Sequence, residues 1–204
     1  MEYTKKILTI VNHGIGEKLA AVTREAGALG GTILVGRGSA SSLLLRLLAL
    51  SDVEKDVLIT LVTDEQFDTV FSSIKTAPFY IGKNRGIACV MYLGGTSMER
   101  ETAYELITII TNRGYAEDIM ATARSAGARG GTILHARGTG NPDDEKFFGI
   151  TIVPEKEQIL ILSERATSRA IKEAIATLPC LTNPGSGIMY TVPVEEFVQL
   201  GKRN

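Results

Sequence analysis

The chain has 204 residues, 22 Lys+Arg against 23 Asp+Glu, and 44% apolar residues, which is room for one large domain or two of about 100 residues. Its 22% charged content argues against extended disorder, and a net charge of -1 supplies no basic field for gripping a nucleic-acid backbone. Two distant cysteines, Cys89 and Cys180, exclude a zinc ribbon or a disulfide framework, and no apolar run approaches the roughly 20 residues of a membrane span.

These features, with a start that lacks a signal-type apolar core, predict a soluble cytoplasmic protein.

An internal repeat organises everything else. Residues 26–39, AGALGGTILVGRGS, align with residues 126–139, AGARGGTILHARGT, with ten of 14 positions identical at an offset of 100. Asn12/Asn112, Gly14/Gly114, Glu17/Glu117 and Arg24/Arg124 extend the match. Beyond a long loop the offset becomes 101, pairing Glu54-Lys55 with Glu155-Lys156, Pro78 with Pro179, and Gly86-Ile87 with Gly187-Ile188. The chain is therefore expected to hold copy one at 1–95, a small polar linker at 96–102 and copy two at 103–204.

In chain order each copy opens with a β-branched strand, Ile7 to Val11 or Leu106 to Thr111. A helix follows, with Leu19, Val22, Thr23 and Ala26 (or Ile119, Thr122, Ala123 and Ala126) on one face. Gly27 and Gly127 come next, where a left-handed residue closes a helix cheaply. A second strand holds Thr32 to Val35, or Thr132 to His135, and a loop of about 15 residues leads to Val57–Val62, or Ile159–Leu162. The second helix of copy one has Thr63 and Gln66 at capping-box spacing and a stripe of Phe67, Val70, Phe71 and Ile74. Copy two repeats it with Ile171, Ala174, Ile175 and Leu178. The last strands are Ile87 to Tyr92 and Ile188 to Val192. The order β-α-β-β-α-β predicts an α+β, ferredoxin-like (split β-α-β) sandwich in two tandem copies.

Two loops per copy carry the functional expectation. The long one leaves its strand at Arg37-Gly38, or at Arg137-Gly138-Thr139-Gly140, where a Gly-x-Gly turn lets backbone amides approach a phosphate. The short one is Gly82-Lys83-Asn84-Arg85-Gly86, or Asn183-Pro184-Gly185-Ser186-Gly187. The long loop of copy one contains a leucine-rich segment, Ser41 to Leu50, suited to a short packed helix; that of copy two is acidic and then aromatic. His13 and His135 have no Cys or carboxylate at ligand spacing, and His135 on its strand is expected to be a satisfied core or interface residue. No nucleophile elbow or Walker motif is present, so the chain is expected not to be an enzyme.

Arg129-Gly130-Gly131-Thr132-Ile133 before Arg137-Gly138-Thr139-Gly140, and Pro184-Gly185-Ser186-Gly187 before Val192-Pro193-Val194-Glu195-Glu196, resemble the PII signal-transduction family. The resemblance implies a homotrimer that binds an adenine nucleotide (AMP, ADP or ATP) in clefts between subunits, with no covalent cofactor or metal. It also implies a mobile T-loop that docks on a partner, such as a membrane transporter or an enzyme of nitrogen or carbon metabolism. Its implied ligand-binding residues are Thr132, Arg137, Gly138, Thr139, Gly140, Lys156, Gly185, Ser186 and Gly187. In copy one the corresponding residues are Thr32, Arg37, Gly38, Lys55, Arg85 and Gly86. Ile87 and Ile188 stand where the family carries a phosphate-binding lysine, and its C-terminal arginines fall near Gln199 and Gly201, with Lys202 and Arg203 beside them. On this reading copy two keeps the signalling site and copy one drifts toward a scaffold. The alternative is a ligand-free trimerising module of the same fold.

Overall fold

The computed structural model describes residues 3–39, 52–80, 85–93, 102–137, 146–147, 150–151, 155–182 and 186–201. The first copy runs β1 (Lys5–Asn12), α1 (Gly16–Glu25), β2 (Thr32–Ser39), β3 (Asp52–Val62), α2 (Asp64–Thr76) and β4 (Gly86–Tyr92). The second runs β5 (Tyr104–Asn112), α3 (Ala116–Ser125), β6 (Gly131–Arg137), β9 (Glu155–Glu164), α4 (Arg165–Ala176), the short α5 (Pro179–Thr182) and β10 (Gly187–Val194). Its long loop carries a small hairpin, β7 (Lys146–Phe147) with β8 (Ile150–Thr151). A final strand, β11 (Glu196–Leu200), ends the described chain.

The first unit gathers Met1–Arg37, Asp52–Glu105 and Val192–Asn204. Its strands lie in the order β2-β3-β1-β4-β11. The second gathers Gly38–Ser51 and Leu106–Thr191, with strand order β10-β5-β9-β6. Each therefore shows the 4-1-3-2 order of a ferredoxin-like sheet, the two central strands contributed by the first and third strands of the copy. The repeat keeps residues 103–204 together, but β11 pairs with the first copy, from Glu196↔Val90 to Leu200↔Gly86. Gly38 and Ser39, at the end of β2, count with the second unit, where the Arg124 guanidinium donates to the Ser39 hydroxyl. The linker at 96–102 lies outside the described residues except for its last position, as does the leucine-rich segment Ser41 to Leu50. The strand after the long loop begins at Asp52, five residues before the apolar run that signals it, because polar residues can extend a ladder that apolar pattern alone does not mark.

Apolar periodicity explains the helices. Val70, Phe71 and Ile74 of α2 pack with Leu19 of α1 over Ile7, Val11, Leu58, Val62, Ala88 and Val90. Ile119, Met120 and Ala123 of α3 and Ile171 and Ile175 of α4 do the same over Ile107, Ile109, Ile133, Ile159 and Ile161. Helix α2 starts at a full capping box: Thr63 Oγ1 accepts from the Gln66 amide at 3.3 Å and Gln66 Oε1 accepts from the Thr63 amide at 3.1 Å. Helices α1 and α3 end at Gly27 (φ 104°) and Gly127 (φ 106°), both in the left-handed region. The opposite sheet face is also buried at Leu8, Ile10, Val57, Cys89 and Met91, which is why β1 and β3 read as nearly continuous apolar runs.

The first helix of each copy lacks a side-chain cap of its own. A buried carboxylate from the third strand takes that place. Asp56 Oδ2 accepts from the amides of Gly14 (2.9 Å) and Gly16 (2.8 Å), and Glu157 Oε2 accepts from Gly114 (2.9 Å) and Ala116 (3.2 Å). Anionic oxygen against the free amides and positive pole of a helix start is favourable, and each charge-assisted bond contributes about 1.5–3 kcal/mol. Asp56→Ala is expected to lower the unfolding free energy by about 2–4 kcal/mol, since two amide donors lose their partner. Urea denaturation measures it, and a loss under about 0.5 kcal/mol would remove this carboxylate from the folding argument.

Asp56 Oδ1 meets His13 Nδ1 at 2.7 Å. The Asp56 carboxylate, by hydrogen bond and by charge, raises the His13 pKa above its ordinary 6.5. A raised histidine pKa stabilises the fold fully below the unfolded-state value, and that contribution disappears as pH rises through the folded-state value. The stability difference between wild type and His13→Gln is therefore expected to be largest below pH about 6.5 and to shrink as pH climbs above it. A constant difference across pH 5.5–9 (about the span that brackets an ordinary histidine) would show that the ion pair contributes nothing.

Candidate functional site

Strand alternation gives neighbouring residues of β3 opposite tasks. Asp56 faces α1, whereas Lys55 faces the other side of the sheet, where its Nζ donates to Asn12 Oδ1 at 2.7 Å. The register Asn12↔Lys55 across β1 and β3 sets this contact. Copy two repeats it: Lys156 Nζ donates to Asn112 Oδ1 at 2.5 Å. Both lysines are half-buried rather than freely solvated. Burial, and then the positive charge of Arg85, hold the Lys55 pKa below the ordinary lysine value.

The short loop enters at the same sheet end. Val11 pairs with Gly86, which places Arg85 beside Asn12 on the side of β1 away from Lys55. The Arg85 amide donates to Leu200 O at 2.9 Å, so β11 closes the far side. In copy two Ser186 holds the equivalent place, its carbonyl accepting from the Asn112 amide (3.2 Å) and from Thr111 Oγ1 (3.2 Å). Arg137, at the end of β6, pairs in register with Glu155, one residue from Lys156. Arg37 lies within β2, two residues before the strand ends at Ser39.

Of the sequence-expected residues, the structure brings Arg137, Lys156, Ser186 and Gly187 to one end of the second sheet, and Lys55, Arg85 and Gly86 to one end of the first. Thr132 does not join them. It lies buried opposite Leu160, five residues along β6 from Arg137, about 17 Å away in an extended strand. Thr32 holds the same place in copy one and is exposed. Gly138, Thr139, Gly140 and Gly185 lie outside the described residues, as do Lys202 and Arg203. Gly38 is described, but counts with the second unit.

Packing accounts for two of the glycines. A Cβ on Gly86 would fall 2.3 Å from Ile10 O, and one on Gly187 would fall 2.6 Å from Cys180 O and 3.1 Å from Ile110 O. Neither close approach admits a side chain. Gly86→Ala is expected to cost about 2–3 kcal/mol of stability by overpacking against backbone, read from urea midpoints. A neutral outcome would return this glycine to a purely ligand-facing role.

Two expectations need correction. His135 is exposed on β6 rather than a core residue; it shares the face of Ile133 and pairs with Glu157, but lies past the end of the apolar cluster. His13 has carboxylate neighbours after all: Asp56, and Glu54 at 3.8 Å from Nε2. Chain folding supplies Asp56 across 43 residues. The overlooked signal is an acid at equivalent places of both repeats, Asp56 and Glu157, inside otherwise apolar strands. Asn12 and Asn112 were visible as a repeated pair, but their lysine contacts were not.

Burial pushes the Cys89 thiol up to about 12 and raises that of Cys180, so neither is a ready thiolate. Among the described residues no cluster of three His, Cys, Asp or Glu side chains is arranged to hold a metal. No described helix is long and apolar enough to cross a membrane.

What converges, twice, is the root of a long loop, a glycine-bearing turn and a lysine pinned by an asparagine. Residues 104–203 match the family model of the Nitrogen regulatory protein P-II. The second copy belongs to the P-II family. Through the repeat and the shared strand order, the first copy is a second instance of the same domain.

Among solved structures, the B. subtilis GlnK–ATP complex shows 16% identity over 47% of this chain and 86% of its own, at a TM-score of 0.36. CPII bound to ADP and bicarbonate, from Thiomonas intermedia K12, shows 16% over 48% of this chain and 89% of its own, at 0.33. A microcompartments protein from Desulfitobacterium hafniense DCB shows 10% over 96% and 97%, at 0.31. No curated protein matches the chain.

Proposed function

We propose that this chain is a tandem P-II-type regulator that binds an adenine nucleotide at the loop-bearing sheet ends and signals its presence through the long loop of copy two. The observation that carries the reading is the convergence, in the part matched by the P-II model, of Lys156, Asn112 and Ser186-Gly187 at one end of the sheet, beside the root of the long loop. Nucleotide phosphates need cationic and amide donors at close quarters, and this sheet end supplies both. The far placement of Thr132 within its own copy fits a cleft completed by another subunit, since one mononucleotide does not span both ends of β6 within a single copy.

On this reading the protein is a homo-oligomer, three chains by family habit, acting without catalysis on a partner protein such as a transporter or a metabolic enzyme. A ligand shifts the loop only by its differential affinity for the loop's states. The packing explanation of Gly86 and Gly187 favours a second reading, a structural trimerising module in which these turns never meet a ligand.

Calorimetric titration of the full chain with AMP, ADP and ATP separates the two. Saturable binding by at least one nucleotide, weakened roughly tenfold by Lys156→Ala, is the expected result. No heat of binding with any of the three would leave the structural module. Light scattering is expected to give the mass of three chains, and a stable monomer would overturn the inter-subunit cleft.

A further inference from the structure

The two copies differ in one residue that changes the chemistry of the sheet end. Where copy two has the neutral Ser186, copy one has Arg85. Registers Asn12↔Lys55 and Val11↔Gly86 set Lys55 of β3, Asn12 of β1 and Arg85, the residue leading into β4, in a row on the face away from the helices. Adjacent strands lie about 5 Å apart, so the two cationic residues are rooted about 10 Å apart with an amide side chain between them. That spacing lets two long side chains converge on one small anion.

Neither cation is neutralised by the described protein. Lys55 donates to an amide oxygen, not to a carboxylate. Arg85 Nε is buried and has no hydrogen-bond partner among the described residues. The acid next to Lys55 in sequence, Glu54, is turned the other way, 3.8 Å from His13 Nε2. Holding two half-buried cations together without a counter-charge is unfavourable, and an unpaired buried donor adds to the cost. The depressed Lys55 pKa, with Arg85 among its causes, is the electrostatic trace of that arrangement.

We propose that Lys55, Asn12 and Arg85 form an oxyanion seat for a phosphate group, and that Arg85 makes copy one the tighter of the two copies for such a group. The guanidinium offers a planar fork of donors and Lys55 a compact charge, a combination suited to a phosphate dianion. This reverses the division of labour read from the loops, in which copy one is scaffold. It deepens the nucleotide reading by stating which copy grips phosphate and through which residue, but it stands on copy one's own side chains.

The test is titration of the full chain and of Arg85→Ser with ADP, inorganic phosphate and adenosine. ADP and phosphate are expected to lose roughly 10- to 100-fold in affinity at one class of site in the variant, as for a lost charge-assisted bond, with adenosine unchanged. Lys55→Met is the second variant, with the same expected direction, and decides the matter should Arg85→Ser not fold. Equal affinity of wild type and both variants for ADP and phosphate overturns the seat, and nucleotide binding elsewhere then survives. Phosphate binding that falls in the variants while ADP fails to bind wild type keeps the seat for free phosphate and overturns the nucleotide reading. Absence of any binding overturns both.

Discussion

The arrangement depends on a carboxylate where a strand pattern calls for a hydrophobe. Asp56 and Glu157 are 4% exposed and sit on the core-facing side of their strands. Such a charge is costly to bury unless hydrogen bonds compensate it. Here they do, because the first helix of each copy begins with amides that nothing local caps. The helix start and the buried acid each solve the other's problem. The turn between first strand and first helix is thereby tied to the third strand, more than 40 residues along the chain.

That tie also orients the opposite face. With Asp56 committed to the helix, period-two alternation leaves Lys55 no choice but the other side, against Asn12. Copy two follows the same logic with Glu157 and Lys156. A single dipeptide of alternating sign thus serves stability on one face of the sheet and presents a cation on the other. Slipping the register by one residue would exchange the two roles and bury an uncompensated lysine in the core. The apolar rows Ile7–Val11 and Leu58–Val62 set that register.

Local structure was legible wherever its cause is local. Thr63 and Gln66 announce α2 by spacing alone, Gly27 and Gly127 mark helix ends by the conformation only glycine adopts cheaply, and the stripe Val70, Phe71, Ile74 names the buried face. The fold class followed from the order of such elements. What stayed hidden is pairing at a distance. Nothing in Glu196–Leu200 itself says that it hydrogen-bonds to Gly86–Val90, since a strand's partner is fixed by topology and not by its own alternation. The bond between His13 and Asp56 and the half-burial of Lys55 were hidden for the same reason. Thr132 was grouped with Arg137 by family resemblance, yet in an extended strand the five residues between them separate opposite ends of the sheet.

Duplication explains how such a design can diverge without unfolding. The tie between carboxylate and helix, the pinned lysine and the unsubstituted glycine opposite the first strand recur in both copies, because each answers a packing or solvation demand that neither copy escapes. The residue before that glycine answers no such demand: only its backbone is used by the fold, the Arg85 amide toward Leu200 O and the Ser186 carbonyl toward Asn112. Its side chain is therefore free to vary, and it varies between a cation in copy one and a hydroxyl in copy two, beside the asparagine that pins the lysine. Chemistry in this fold changes where the backbone carries the structure and the side chain is released from it.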